Sequence, residues 1–291
     1  MPELPDLTIV AEAFDAALVG RPIEDASTPD PLVVRGTPAE VAALAGRTVV
    51  RVGRLGKFLI LELDEGRVVF NPMLTGRFQL AAPGSRQPAR TALVLRFGPR
   101  GSGRRSRAAW TRGAAWMPGD AAAVEVRYRD PTRMGKVYLQ PPEIERPIPG
   151  LGAGEQGPEI DSSELTLEAW RQRIRRHPGE LKNLLKNQSF VAGLGNAYSD
   201  EVLHAARLLP FRARRTLAAD EIDALYEAAR STVAHAIDVL RVRVPPTFET
   251  QVRDFLAVHG KGGQACPRCG TRITEISPGG FVTSFCRGCQ H

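Results

Sequence analysis

Residues 188–203 read Gln188-Ser189-Phe190-Val191-Ala192-Gly193-Leu194-Gly195-Asn196-Ala197-Tyr198-Ser199-Asp200-Glu201-Val202-Leu203. Gly193 and Gly195 admit positive φ and a close approach of backbone to a ligand. Asn196 stands where it caps the helix that continues through Leu203. A Gly-rich turn entering a helix aims unpaired N–H groups and the positive end of the dipole at one point, which suits phosphate. Taken alone, the stretch reads more simply as a helix–turn–helix with a capped second helix.

Outward from this turn the chain is helical, with runs at Leu165–Arg175, Gly179–Lys186, Asn196–Arg207 and Asp220–Leu240. The last is the clearest: Ile222, Leu225, Ala229, Val233, Ile237 and Leu240 share one face, with Asp220 as its candidate cap. Pro245-Pro246 ends this block, and a Pro/Gly-rich linker from Pro141 to Pro158 precedes it. Beyond it lie all four cysteines, as Cys266-x2-Cys269, sixteen intervening residues, and Cys286-x2-Cys289. Two such knuckles fit one tetrahedral four-thiolate zinc site, and Pro267, Gly270 and Gly288 suit their tight turns. Two disulfides are the alternative, disfavoured because the rest of the chain has no cysteine and no export signal.

Upstream of the linker the period changes to that of strands. Short β-rich runs recur at Thr48–Val52, Lys57–Leu63, Arg67–Phe70, Ala92–Phe97, Ala123–Tyr128 and Lys136–Leu139, with Asp64-Glu65-Gly66 as a hairpin turn. This spacing suggests a β-sandwich rather than βαβ units. Ahead of the strands, Leu7, Val10, Ala11, Phe14 and Leu18 fall at helical spacing, so residues 5–18 form an amphipathic helix with Pro5 in its first turn. Pro99–Asp120 carries Arg100, Arg104, Arg105, Arg107 and Arg112 without periodicity and reads as a basic, solvated loop more readily than as a DNA contact.

The composition agrees with a globular chain of two or three domains: 291 residues, 43% hydrophobic and 24% charged, which excludes a disordered or fibrous protein. No apolar run reaches the roughly 18 residues of a membrane span. The start, Met1-Pro2-Glu3-Leu4-Pro5-Asp6, is unlike a secretory signal. A cytoplasmic protein is expected, without a membrane partner. Lys plus Arg outnumber Asp plus Glu by 39 to 32, and the pI near 9.6 makes a polyanionic partner plausible.

Met1-Pro2 carries a chemical possibility of its own. Loss of Met1 leaves a secondary α-amine, which titrates near ~8 against ~10.4 for lysine, so its free-base fraction at pH 7 is about two orders of magnitude larger. Such an amine can attack a carbonyl-like carbon and form an iminium. Many chains begin Met-Pro for no chemical reason, so the pair means little without a wider pattern.

That wider pattern exists. The chain resembles the formamidopyrimidine-DNA glycosylase and endonuclease VIII family of base-excision repair enzymes. The matching pieces are Pro2-Glu3-Leu4-Pro5, Gly56-Lys57-Phe58-Leu59, the helix–two-turns–helix from Gln188 to Leu203, and Val258-His259-Gly260-Lys261 leading into the four cysteines and Cys289-Gln290. They run in the family's order from residue 2 to residue 290. The resemblance implies an α+β chain: an N-terminal helix plus β-sandwich catalytic domain (1–140), a linker (141–158), a helix–two-turns–helix DNA-binding domain (159–245) and a zinc finger (246–291).

The resemblance also implies roles. Pro2 attacks C1′ of a damaged nucleotide, Glu3 protonates the sugar-ring oxygen, and Lys57 contacts phosphate and assists at the lesion. The strand is then cut by β,δ-elimination. Asn196, Gly193, Gly195, Lys261 and Arg133 fall at DNA-contacting positions, and Leu74, Thr132 and Met134 on the loops that fill the lesion void. Cys266, Cys269, Cys286 and Cys289 would hold one structural Zn2+. The partner would be double-stranded DNA with damaged bases or abasic sites, bound by a monomer at the bacterial nucleoid.

Four departures set this chain apart. Phe281 takes the place of a phosphate-gripping arginine. Asp130-Pro131-Thr132-Arg133-Met134-Gly135 has Thr132 for an arginine that reads the opposite base and Met134 for an aromatic wedge, although methionine can still wedge between bases. Leu74, in Asn71-Pro72-Met73-Leu74-Thr75-Gly76, stands for a methionine, and Asp6 for a glutamate. The expectation is a bifunctional glycosylase and abasic-site lyase whose base excision is narrowed or weakened. The alternative is a weakened or inactive relative that binds damaged or abasic DNA. A zinc-ribbon RNA-binding protein is a third class, disfavoured because the helix–two-turns–helix and Pro2-Glu3 would then be coincidence.

Overall fold

The structure is a computed structural model and describes residues 1–101, 118–244 and 248–291. It separates into two compact units, Met1–Ile148 with Val239–Val252, and Pro149–Asp238 with Arg253–His291. Most of the basic stretch within 99–120, including Arg104, Arg105, Arg107 and Arg112, lies outside the described residues, as do Pro245 and Pro246.

The first unit opens with α1 (Leu4–Leu18), followed by β1 (Ile23–Ser27), β2 (Val34–Arg35), α2 (Pro38–Ala42), β3 (Val49–Leu55), β4 (Phe58–Leu63), β5 (Arg67–Asn71), β6 (Arg77–Ala81), β7 (Thr91–Phe97), β8 (Val124–Arg129) and β9 (Lys136–Gln140). The strands form a four-stranded sheet, β1-β7-β8-β6, and a five-stranded sheet, β2-β9-β5-β4-β3. All pairings are antiparallel except β2 with β9. Phe70 of one sheet meets Phe78 of the other edge-on at 5.4 Å, and Tyr128, Phe14 and Phe248 complete the aromatic cluster. This is the expected sandwich. The strand runs anticipated from sequence all form, while β1, β2 and β6 join them as additional strands.

α1 is buried on more than one face, since Leu4, Ile9 and Ala13 are covered as well as Leu7, Phe14 and Leu18. Its last carbonyls have no partner within the helix, and two arginines supply one. Fully buried Arg21 donates to Ala17 O at 2.7 Å and also to the carbonyls of Gly98, Gly119 and Ala122. Arg100 donates to Ala16 O and Ala17 O and pairs with Asp120. Arg100 is therefore not a solvated loop charge, as the sequence suggested, but part of the seat of α1.

The second unit contains α3 (Leu167–Arg176), α4 (Leu181–Lys186), α5 (Asn196–Ala205), α6 (Ala219–Arg243) and the hairpin of β10 (Thr274–Ile276) and β11 (Thr283–Phe285). α6 belongs to it as far as Asp238. Trp170 anchors its core against Phe190 and Tyr226, with Nε1 donating to Ile222 O. Three local readings need correction. Asn196 is the first helical residue rather than the cap, which is Gly195. Gly195 has φ −137°, so only Gly193, at +96°, uses left-handed backbone. Asp220 lies inside the first turn of α6, and it is Glu221 that reaches back to Ala218 N. No helix among the described residues is long and apolar enough to cross a membrane.

Candidate functional site

In the first unit the chain enters α1 through Pro2 and Glu3, both buried, with Glu3 2% exposed. The Asp6 carboxylate accepts from Glu3 N at 2.8 Å, so the shorter acid at this position still closes the capping interaction at the helix start. Beside Pro2 lies a cavity of about 30 Å³, roughly one water molecule in size, whose lining includes Asp6, Arg77, Phe248, Thr250 and Gln251. Arg77 donates to Gln251 Oε1 at 3.0 Å and to Gly76 O at 2.8 Å.

Lys57 occupies the two-residue turn between β3 and β4, after Gly56 at φ +55°. Positive φ is what so short a hairpin loop demands. Hydrogen bonds fix this hairpin to α1, among them Arg54 Nε to Thr8 Oγ1 at 2.6 Å and Val52 N to Asp15 Oδ1 at 2.7 Å. The helix carrying Pro2 and Glu3 and the hairpin carrying Lys57 are thus held together through neighbouring residues.

The two loops singled out as void-filling are tied to each other. Asp130, 1% exposed, accepts from Thr75 Oγ1, from Thr132 N and from Gly135 N, the last at 2.6 Å. Thr75 and Thr132 share a further hydrogen bond of 2.6 Å. Beneath them Tyr128 is fully buried, and a Cβ at Gly76 or Gly135 would fall 2.4 or 2.1 Å from its hydroxyl, so both positions require glycine. Leu74 and Met134 are exposed. Arg133 sits at φ +57° and pairs with Asp30 at 2.8 Å. Lys136 Nζ gathers the carbonyls of Arg133, Met134 and Gly135, and burial lowers its pKa.

In the second unit, Gln188 shapes the Gly-rich turn by donating to Leu194 O and accepting from Gly193 N. Asn196 Nδ2 donates to Val282 O at 2.7 Å, while its buried Oδ1 has no partner among the described residues. Lys261 Nζ donates to Asp254 O. Phe281 is 54% exposed and lies under Lys186 Nζ, 5.0 Å from the ring centroid. Arg287 instead lies over Phe285, at 5.8 Å.

A buried ionic network missed by the sequence reading supports this surface. Lys182 Nζ pairs with Asp200 at 2.7 Å and donates to Val282 O and Thr283 Oγ1. Asp200 also receives His259 Nδ1 and Ser284 N. Glu201 receives the backbone N–H groups of Ala257, Val258 and His259. The only sequence signal was an Asp-Glu pair set among apolar residues of a helix.

The sulfurs of Cys266, Cys269, Cys286 and Cys289 lie within 4.8 Å of one another, with Cys266–Cys289 at 3.8 Å and Cys269–Cys286 at 3.4 Å. These separations are far too long for disulfides, whose S–S length is about 2.05 Å. A tetrahedral metal with bonds of about 2.3 Å spaces its sulfurs about 3.8 Å apart, so the cluster fits such an ion. Thr271 hydrogen-bonds Cys269, pulling that thiol down to about 6.

Comparison with known proteins agrees with this arrangement. Residues 1–137 match the formamidopyrimidine-DNA glycosylase N-terminal domain, and residues 156–244 the formamidopyrimidine-DNA glycosylase H2TH domain. Formamidopyrimidine-DNA glycosylases of Pelotomaculum thermopropionicum and Exiguobacterium sibiricum are each 30% identical, over 100% of this chain and 99% of theirs. The Lactococcus lactis Fpg bound to DNA containing an abasic site superposes with a TM-score of 0.81 at 26% identity, covering 99% of both chains. The same protein bound to DNA containing N7-benzyl-Fapy-dG gives 0.82 at 26% identity over 100% of both. Matching in both domains and along its whole length, the chain belongs to the formamidopyrimidine-DNA glycosylase family.

Proposed function

We propose that this chain is a DNA glycosylase of base-excision repair that also cleaves the strand at the resulting abasic site, with one structural zinc ion on its four cysteines. With Met1 removed, the Pro2 nitrogen is a secondary amine. Its lone pair forms a bond to C1′ of the flipped nucleotide as the base departs with the glycosidic electron pair and takes up the amine proton. The freed nitrogen lone pair then breaks the bond from C1′ to the ring oxygen, which takes a proton from Glu3, and an iminium is left. The iminium acidifies C2′, so loss of that proton expels the 3′ phosphate, and a second elimination expels the 5′ phosphate. Hydrolysis of the imine returns the proline amine.

The observation that carries this reading is the head of α1, where Pro2 and Glu3 are buried together and Asp6 holds the Glu3 backbone. Phosphates flanking the lesion would be contacted by Lys57 in the first unit and, in the second, by the Gly193–Asn196 turn and Lys261. Leu74, Thr132 and Met134 would occupy the void. Thr132 is short and uncharged, with its hydroxyl engaged by Thr75, so it offers no extended cation to the opposite base, and selectivity there is expected to be low.

Borohydride trapping on an abasic-site duplex tests the reading, using protein whose N-terminus has been confirmed by mass spectrometry. A covalent complex lost in Pro2→Gly and slowed in Glu3→Gln is the expected result. No complex, from protein that still binds the duplex, replaces this reading with that of a damaged-DNA binder. Phe281, in place of a phosphate-gripping cation, favours that second reading.

A further inference from the structure

The four cysteines are not alone at the metal centre. His204, in the last turn of α5, is 5% exposed, and its Nε2 lies 3.4 Å from Cys266 Sγ and 3.8 Å from Cys289 Sγ. It therefore faces one edge of the sulfur tetrahedron. Arg268 lies on the same edge, with Nη1 2.7 Å from His204 O and 3.6 Å from Cys289 Sγ.

The direction of the histidine contact follows from the acceptor. A metal-bound cysteine is a thiolate without a proton, so the hydrogen shared with Nε2 belongs to the imidazole. Left buried and unpaired, that N–H would carry the full desolvation penalty of a lost donor. Outer groups of this kind tune metal sites: an N–H drawing electron density from a thiolate leaves the sulfur a weaker nucleophile toward electrophiles and oxidants.

We propose that His204 is a protecting residue of the metal centre, donating its Nε2–H to the Cys266 thiolate and, more weakly, to Cys289. It lowers the reactivity of these thiolates toward electrophiles. The inference rests on the zinc reading above.

The test uses the full-length protein, wild type, His204→Phe and His204→Gln. Zinc content is first measured by inductively coupled plasma mass spectrometry, and one zinc per chain is expected in all three. Release of zinc to a chromogenic chelator is then followed during reaction with N-ethylmaleimide, beside a control with EDTA alone. His204→Phe should release zinc about tenfold faster under alkylation, with Cys266 the first site found modified by peptide mapping. Its release to EDTA alone should be unchanged. His204→Gln keeps an N–H donor and should stay close to wild type. Wild type without zinc would overturn the zinc reading and this inference with it. Full zinc occupancy with equal alkylation-driven rates in wild type and His204→Phe would overturn the inference alone. So would equal acceleration of both variants, including in EDTA, which would mark a packing role.

Discussion

Tyr128 is fully buried, yet its hydroxyl makes no hydrogen bond to any described group. Burial and nearby Asp130 hold its pKa well above the ordinary phenol value, so it stays protonated at any working pH. Removing a buried, unpaired hydroxyl while keeping the ring is nearly neutral or stabilising. Tyr128→Phe is therefore expected to leave the thermal midpoint unchanged or raise it, by an amount worth up to about 1 kcal/mol in calorimetry. A loss of stability would show that the hydroxyl is satisfied. At Phe281 a cation is missing where the family resemblance implies one, and the exposed ring leaves room for it. Phe281→Arg is expected to tighten binding to an abasic-analogue duplex about fivefold, about 1 kcal/mol, measured by fluorescence anisotropy at fixed salt.

At the scale of elements, α4, α5 and β11 meet over Lys182 and Asp200, whose side chains are 5% and 0% exposed. Breaking such a pair leaves an uncompensated buried charge and costs about 3–5 kcal/mol. Lys182→Met is expected to lower the unfolding free energy extrapolated from urea titration by that order. Its effect should exceed that of altering the exposed Arg47–Glu65 pair, as exposed pairs contribute about 0–1 kcal/mol. The same network explains Asn196. Its side chain does not cap α5 but holds Val282 O, the carbonyl that Lys182 also holds. The segment preceding β11 is thus fixed at the entrance of α5 by two separate donors.

For the whole molecule, the proposed metal on the four cysteines is the point on which the C-terminal segment would depend. Apart from its cysteines, the cluster around Val258 and Ile273 is small, too little to fold such a segment alone. Stripping the metal with a chelator is expected to abolish amide-exchange protection from Cys266 to Gln290. The paired strands β7 and β8 should keep theirs, because their burial is independent of the metal. Exchange measured by mass spectrometry with and without chelator checks this, and equal protection in both states would show that the segment folds without metal.

The sequence by itself determined the family, the β-then-α order, the cysteine cluster and the Pro2-Glu3 start. Each of these is written in local spacing: period two or 3.6 for the elements, C-x2-C for the knuckles, adjacency for Pro2 and Glu3. Tertiary structure alone decided the rest. It joined Thr75 to Asp130 and Thr132 across more than fifty residues. It set Gly76 and Gly135 against one tyrosine hydroxyl, turned Arg21 and Arg100 onto the end of α1, and brought His204 to the sulfur of Cys266, 62 residues later. The reason is physical. Periodicity reports which face of an element is apolar, but not which distant carbonyl, carboxylate or thiolate that face will meet. A buried polar side chain takes its role from that partner, and the partner is chosen by packing.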